Sequence, residues 1–244
     1  MKNKNPQKIG RICQLGLAAL LTTGLTAQAQ TPLYDGHTDV GIDYDETLNE
    51  WNLHVHYEVT DTEYSPPSDA LLVVKSGAHT TVPAGAQWSF LGGVGSSTWI
   101  LPKSQDPTLL FLGIGAEEIA AGTFFNDQFT LALKGVTGPG TFAVFDNDTF
   151  GDPLLLMDSG DGFSAADAVV FPSGTHSHVN WAFSAPGDYT VTFEASALST
   201  LNGATSSGDV NYLFHVEAVP EPATGALASV GALALWLVRR NKRN

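Results

Sequence analysis

Along much of this chain, apolar side chains recur at every second position, not at every third or fourth. Tyr189, Val191 and Phe193 alternate with Thr190, Thr192 and Glu194, and Tyr212, Phe214 and Val216 alternate with Asn211, Leu213 and His215. Successive side chains of an extended strand point to opposite faces, so this alternation gives one buried and one wet face. It predicts strands over 51–59, 70–75, 129–136, 141–145, 154–157, 178–183, 188–195 and 210–216, rich in Val, Phe, Tyr and Thr and parted by Gly, Pro, Asn and Asp clusters. A sustained helical period is missing from the body of the chain; 117–121 reads as one short helical turn.

Strands with one wet face imply an all-β fold, an antiparallel β-sandwich. Pro186-Gly187-Asp188-Tyr189 resembles the entry to the tyrosine-corner strand of immunoglobulin-like sandwiches. A jelly-roll topology is equally compatible with the strand pattern.

The two ends follow different rules. Lys2, Lys4, Lys8 and Arg11 precede an apolar run over 12–25, and Ala27-Gln28-Ala29 supplies a small-x-small cleavage site. That layout predicts a secretory signal peptide over 1–29, cut after Ala29, with a retained anchor as the alternative. At the other end Val219-Pro220-Glu221-Pro222 leads into an apolar segment over 223–238, closed by Arg239, Arg240, Lys242 and Arg243. As a helix this segment would be about 24 Å long, slightly short of a bilayer core. Pro-Glu-Pro, one hydrophobic helix and a basic cluster, in that order, resemble the PEP-CTERM sorting signal. The resemblance implies an exosortase-type membrane protease as partner, export to the cell surface or extracellular matrix, and a membrane contact through this helix alone. If the tail is cut the product has no transmembrane helix; if it is not, the chain is a single-pass anchored protein. The expected organisation is therefore a signal peptide over 1–29, one β-sandwich surface domain over 30–218 and a sorting segment over 219–244.

Charge and cysteine narrow the chemistry of the body. Residues 30–218 hold twenty-four acids against Lys75, Lys103 and Lys134, a net charge of −21 that the whole-chain −14 understates. Such a surface repels phosphate backbones and excludes nucleic acid as a partner. The sole cysteine, Cys13, lies in the signal, so the body has neither disulfide nor thiolate.

All seven histidines lie in the body, and two His-x-His pairs occur, His54/His56 and His176/His178, where chance gives roughly a quarter of one such pair. Within Gly174-Thr175-His176-Ser177-His178-Val179-Asn180-Trp181, extended geometry puts His176, His178 and Asn180 on one face and Val179 and Trp181 on the other. His54 and His56 likewise oppose Leu53, Val55 and Tyr57, and Gly36-His37-Thr38-Asp39 adds an imidazole with a carboxylate two residues on. Zinc takes three or four such ligands, and nearby acids hold the second ring nitrogen. These residues predict a transition-metal site, zinc or manganese, built from His37, Asp39, His54, His56, His176 and His178; a hydrated, histidine-rich strand face is the alternative. His79 and His215 read as solvated.

Other chemistry is less well marked. Asp146-Asn147-Asp148 with Asp152, and Asp158 with Asp161, space oxygens as a calcium loop would, but both strings are ordinary turns. Trp51, Trp88 and Trp99 offer sugar-stacking surfaces, whereas Trp181 falls on the core side by parity. The chain lacks a Gly-x-Ser-x-Gly elbow, a P-loop and a His-Glu-x-x-His string, so it is not expected to be an enzyme.

From residue 33 to 217 the body resembles the choice-of-anchor M domain, also described as an actinobacterial surface-anchored protein domain. The resemblance rests on Gly36-His37-Thr38-Asp39-Val40-Gly41, Leu53-His54-Val55-His56, Val82-Pro83-Ala84-Gly85, Phe90-Leu91-Gly92, Trp99-Ile100-Leu101-Pro102, Leu112-Gly113-Ile114-Gly115, Val136-Thr137-Gly138-Pro139-Gly140 and Pro172 through Trp181. Such domains occur with different surface anchors and accompany ABC transporter systems for metals, which implies metal capture or delivery outside the membrane. The competing expectation is a structural or adhesive surface module that binds polysaccharide and no metal.

Overall fold

The computed structural model describes residues 30–220. The signal peptide expected over 1–29 lies outside the described residues, and so does the sorting segment expected over 219–244 from residue 221 onward. What is described is built from three sheets. The largest runs Thr31–Leu33, Ala70–Val74, Val210–Val216, Gly187–Ser199, Gln128–Thr137, Ala168–Pro172, with Gly203–Ser206 also paired to Gly187–Ser199. The second runs Pro153–Asp158, Phe142–Asn147, Asn180–Phe183, Ser97–Leu101, His79–Thr81, and the third His176–His178, Leu110–Gly115, Gly36–Asp45, Glu50–Tyr57, Thr62–Tyr64. Helical structure among the described residues is limited to short 3₁₀ turns, none long or apolar enough to cross a membrane.

The alternation that marked the strands becomes the core. Tyr189, Val191 and Phe193 of one strand and Tyr212, Phe214 and Val216 of its neighbour are buried. They meet the second sheet, where ring centroids of Trp181 and Phe193 are 6.1 Å apart and those of Phe183 and Phe214 5.2 Å. The third sheet packs on the same large sheet: the Trp51 and Phe129 rings are 6.5 Å apart, and Tyr212 Oη donates to the His54 carbonyl at 3.2 Å. One layer is thus the seven-stranded sheet and the other is the two five-stranded sheets side by side, a β-sandwich with a continuous apolar interior. Burying each such ring contributes about 1.5–3 kcal/mol over leaving it exposed.

Tyr189 forms the expected corner: its hydroxyl donates to the Ala185 carbonyl at 2.8 Å. The ring lies so close to the backbone of Gly138 that a Cβ there would sit 2.3 Å from Cδ1.

Several details differ from the sequence expectation. Pairing is mixed rather than purely antiparallel: Thr31–Leu33 with Ala70–Val74, Val210–Val216 with Ala70–Val74, and Gly36–Asp45 with Leu110–Gly115 are parallel. The expected strand over 178–183 is broken at Val179. His176–His178 pairs with Leu110–Gly115 in the third sheet, while Asn180–Phe183 pairs with Phe142–Asn147 and Ser97–Leu101 in the second. Asn180 therefore leaves the histidine face; its amide donates to the Phe145 carbonyl at 3.1 Å and its Oδ1 accepts the Lys103 N–H at 3.0 Å. Residues 117–121 form a turn closed by Ile119 N–H to the Ala116 carbonyl, without helix.

Candidate metal centre

The third sheet carries the chemistry, and its register explains why. Going across the strands, His178 is opposite Gly113, Gly113 opposite Asp39, and Asp39 opposite His56. In the next row but one, His176 is opposite Gly115, Gly115 opposite Gly41, and Gly41 opposite His54. Register partners share a face, and residues two apart along a strand share it too. His37, Asp39, His54, His56, His176 and His178 are therefore all on one face of one sheet.

Sharing a face is not yet convergence. Strands two apart are separated by roughly 9.5 Å, so His178 and Asp39 need a gap between them. Gly113 provides it. A Cβ at Gly113 would lie 2.2 Å from Asp39 Oδ1, 3.0 Å from His178 Cε1 and 3.1 Å from His176 Nε2, so these side chains lean together over bare backbone. His37 reaches the same place from two residues before Asp39.

The donor atoms of His37, Asp39, His176 and His178 all lie within 4.8 Å of one another. His176 Nε2 is 3.0 Å from Asp39 Oδ1, His37 Nε2 is 3.1 Å from His176 Nε2, and His37 Nε2 is 3.4 Å from Asp39 Oδ2. Ligands about 2.0–2.1 Å from a tetrahedral zinc ion are about 3.3 Å apart along each edge. The separations among His37, Asp39 and His176 are close to that edge.

The surroundings set each group's state. Asp39 is only 3 % exposed, and its burial pushes the carboxyl upward against the downward pull of His176 and His37. Burial, and then repulsion by His176 and His37, pushes His178 down to about 4. Its ring stacks on Phe111 with centroids 3.5 Å apart, and its buried Nδ1 has no partner among the described residues. His176 Nδ1 is 2.6 Å from Glu117 Oε1, which fixes the proton on Nδ1 and turns the Nε2 lone pair toward Asp39 and His37. Lone pairs held this close repel unless a cation, a proton or a metal ion, sits among them.

His54 and His56 do not join this cluster. His56 lies beside Asp39 in register but turns outward, with Nδ1 3.4 Å from Glu58 and Nε2 3.2 Å from Asp61. His54 folds over Gly41, where a Cβ would be 2.2 Å from its Nε2, and is 3 % exposed instead of lying on a wet face. Glu117, which reads from the sequence only as part of a turn, and the spacer glycines 41, 113 and 115 belong to the site as well. The alternation of Gly113 and Gly115 with Leu112 and Ile114 was the available signal.

The remaining expected residues have structural roles. His79 Nε2 contacts Ser97 Oγ at 3.0 Å, and His215 pairs with Asp188 at the surface. Trp99 is 4 % exposed and Trp181 1 %, so neither offers a stacking platform; Trp51 and Trp88 are half-buried. In the acidic loops the carboxylates hold their own backbone: Asp148 Oδ1 accepts N–H groups of Phe150 and Asp152, and Asp158 Oδ1 accepts that of Gly160. These are turn contacts, as expected for such strings.

Residues 218–243 match the family described as PEP-CTERM protein-sorting motif. The match covers the segment in which the sorting signal was read, and such signals are processed by exosortase; it implies export and surface or membrane anchoring. No curated protein matches the chain.

Proposed function

We propose that this protein is an exported, surface-sorted β-sandwich that holds one transition-metal ion between His37, Asp39, His176 and His178. The observation that carries the reading is the convergence of three imidazoles and a buried carboxylate, from two strands that flank Gly113, at separations of 3.0–3.4 Å for the pairs measured among His37, Asp39 and His176. A donor set of three imidazoles and one carboxylate favours zinc; manganese prefers more oxygen ligands. Glu117 on His176 is the outer partner that a ligating histidine ordinarily has. The role is binding and not catalysis. The resemblance of the body to the choice-of-anchor M domain fits capture or delivery of metal at the cell surface, accessory to a metal ABC transporter system. The burial of Trp99 and Trp181 weakens the polysaccharide reading.

Gly113→Ala tests this without removing a ligand. Its Cβ displaces the Asp39 carboxylate, a side-chain end that can swing away, so the fold survives and the donor set does not. Zinc affinity is expected to fall by about 10–100-fold or more, as for loss of a residue that orients a ligand. Gly93→Ala, whose Cβ meets nothing within 4 Å, should leave it unchanged. Equal affinity in Gly113→Ala and wild type, read by competition with a chromogenic chelator, would refute the site.

A further inference from the structure

Beside the four-donor cluster runs a trough floored by Gly115 and Gly41, with His176 at one end and His54 at the other. It holds a cavity of about 30 Å³ lined by Asp39, His54, Glu117 and Glu118 among others. That is close to the volume of one water molecule in the liquid, room for one ion or water. His54 is 3 % exposed, and its Nδ1 lies 3.3 Å from the Asn52 carbonyl. This contact puts the proton on Nδ1 and leaves a lone pair on Nε2, the arrangement of a histidine ready to ligate. Nε2 overhangs Gly41 and makes no hydrogen bond to the described residues.

The lining chooses the sign of the occupant. It presents an imidazole lone pair and carboxylates, and it lacks a lysine: Lys75, Lys103 and Lys134 are paired elsewhere with Asp35, Asp146 and Glu194. An anion would be repelled. Glu117, already against His176, has an Oε2 that would stand 2.9 Å from a Cβ at Gly115, so its carboxylate overhangs the trough from the side of the first cluster.

We propose that the trough is a second divalent-cation site, in which His54 Nε2 and the Glu117 and Glu118 carboxylates take an ion beside the one held by the four-donor cluster, with Asp39 at the boundary of both. The inference rests on the metal-binding reading of that cluster. It also gives His54 a part that a single site does not: its Nε2 faces the trough and has no hydrogen-bond partner among the described residues.

The test is a count of ions. Metal-stripped full-length chain in mild detergent is titrated with zinc, and the bound ions are counted by native mass spectrometry. Two equivalents are expected in the wild type. One is expected in His54→Ala and in Gly41→Ala, whose Cβ would push the imidazole out of the trough. One equivalent in the wild type would overturn the second site and leave the first standing; none would overturn the metal-binding reading itself. Two equivalents persisting in both folded variants would place the second ion elsewhere and overturn the assignment. If both variants fail to fold, the position of the second ion in zinc-loaded wild-type crystals decides: density beside His54 Nε2 supports the site, and density anywhere else overturns it.

Discussion

Replacing His176 and His178 together by alanine is expected to abolish tight zinc binding while the sandwich stays folded. The pair supplies two of the four donors, and His176 also links the cluster to Glu117. Losing one outer partner of a metal ligand costs 10–100-fold in affinity; losing two ligands should exceed about 100-fold. Stability should change little, because His176–His178 is a three-residue edge strand and neither side chain belongs to the apolar core. The exposed His176 should cost no more than about 0.5 kcal/mol, and any further loss should come from the half-buried His178, whose ring gives up its stack on Phe111. The control is His79→Ala with His215→Ala, which removes two histidines outside the site and should leave binding intact. Chelator competition reads the affinity, and circular dichroism reads the fold. Unchanged affinity in the double variant would move the metal away from this face.

Trp181→Ala should produce the largest loss of stability. The indole is 1 % exposed, and it packs between the sheets with ring centroids 6.1 Å from both Phe142 and Phe193. Truncating a buried Trp leaves a cavity and costs about 3–5 kcal/mol. One further effect is specific to this site. Trp181 Nε1 donates to the Leu112 carbonyl at 3.0 Å, on the strand that carries Gly113, so the variant also strips a buried acceptor next to the metal floor. For a domain of this size, such a loss lowers Tm by roughly 6–20 °C. Trp181→Phe should lose less, since it keeps an aromatic ring in the gap and forfeits mainly the hydrogen bond. Urea denaturation measures both, and a loss below about 1 kcal/mol for Trp181→Ala would contradict the packing described.

How much of this could be read from the sequence depends on the residues a strand uses. The strands around Tyr189 and Tyr212 were legible because the inward positions Tyr189, Val191, Phe193, Tyr212, Phe214 and Val216 are large and apolar and, Leu213 apart, the outward ones between them are polar. Gly36–Asp45 and Leu110–Gly115 were not expected as strands, although they are central to the third sheet. Their glycines and aspartates are poor strand formers taken singly. At Gly41 and Gly113 the reason for the poor propensity is the site itself: a side chain there would fill the space that His54, Asp39, His176 and His178 occupy.

Parity put His54 with His56, and His176 with His178, on one face of their own strands, because alternation needs only the strand direction; that these strands and His37 and Asp39 share one sheet comes from the pairing. It could not say which way each side chain leans along that face. His56 leans to Glu58 and Asp61, and His54 to Gly41, so four residues converge and two do not. The break at Val179 was hidden for a related reason. His176–His178 and Asn180–Phe183 read as one alternating run, and only the pairing partners show that the chain passes from one sheet to another. That passage sets the histidine pair beside Gly113 while Trp181 enters the core.

Anomalous diffraction at the zinc edge from zinc-loaded crystals tests the central claim most directly. The account predicts a peak bounded by His37, Asp39, His176 and His178, about 2.0–2.2 Å from each donor atom. Zinc-saturated crystals with no peak between these four residues would contradict it.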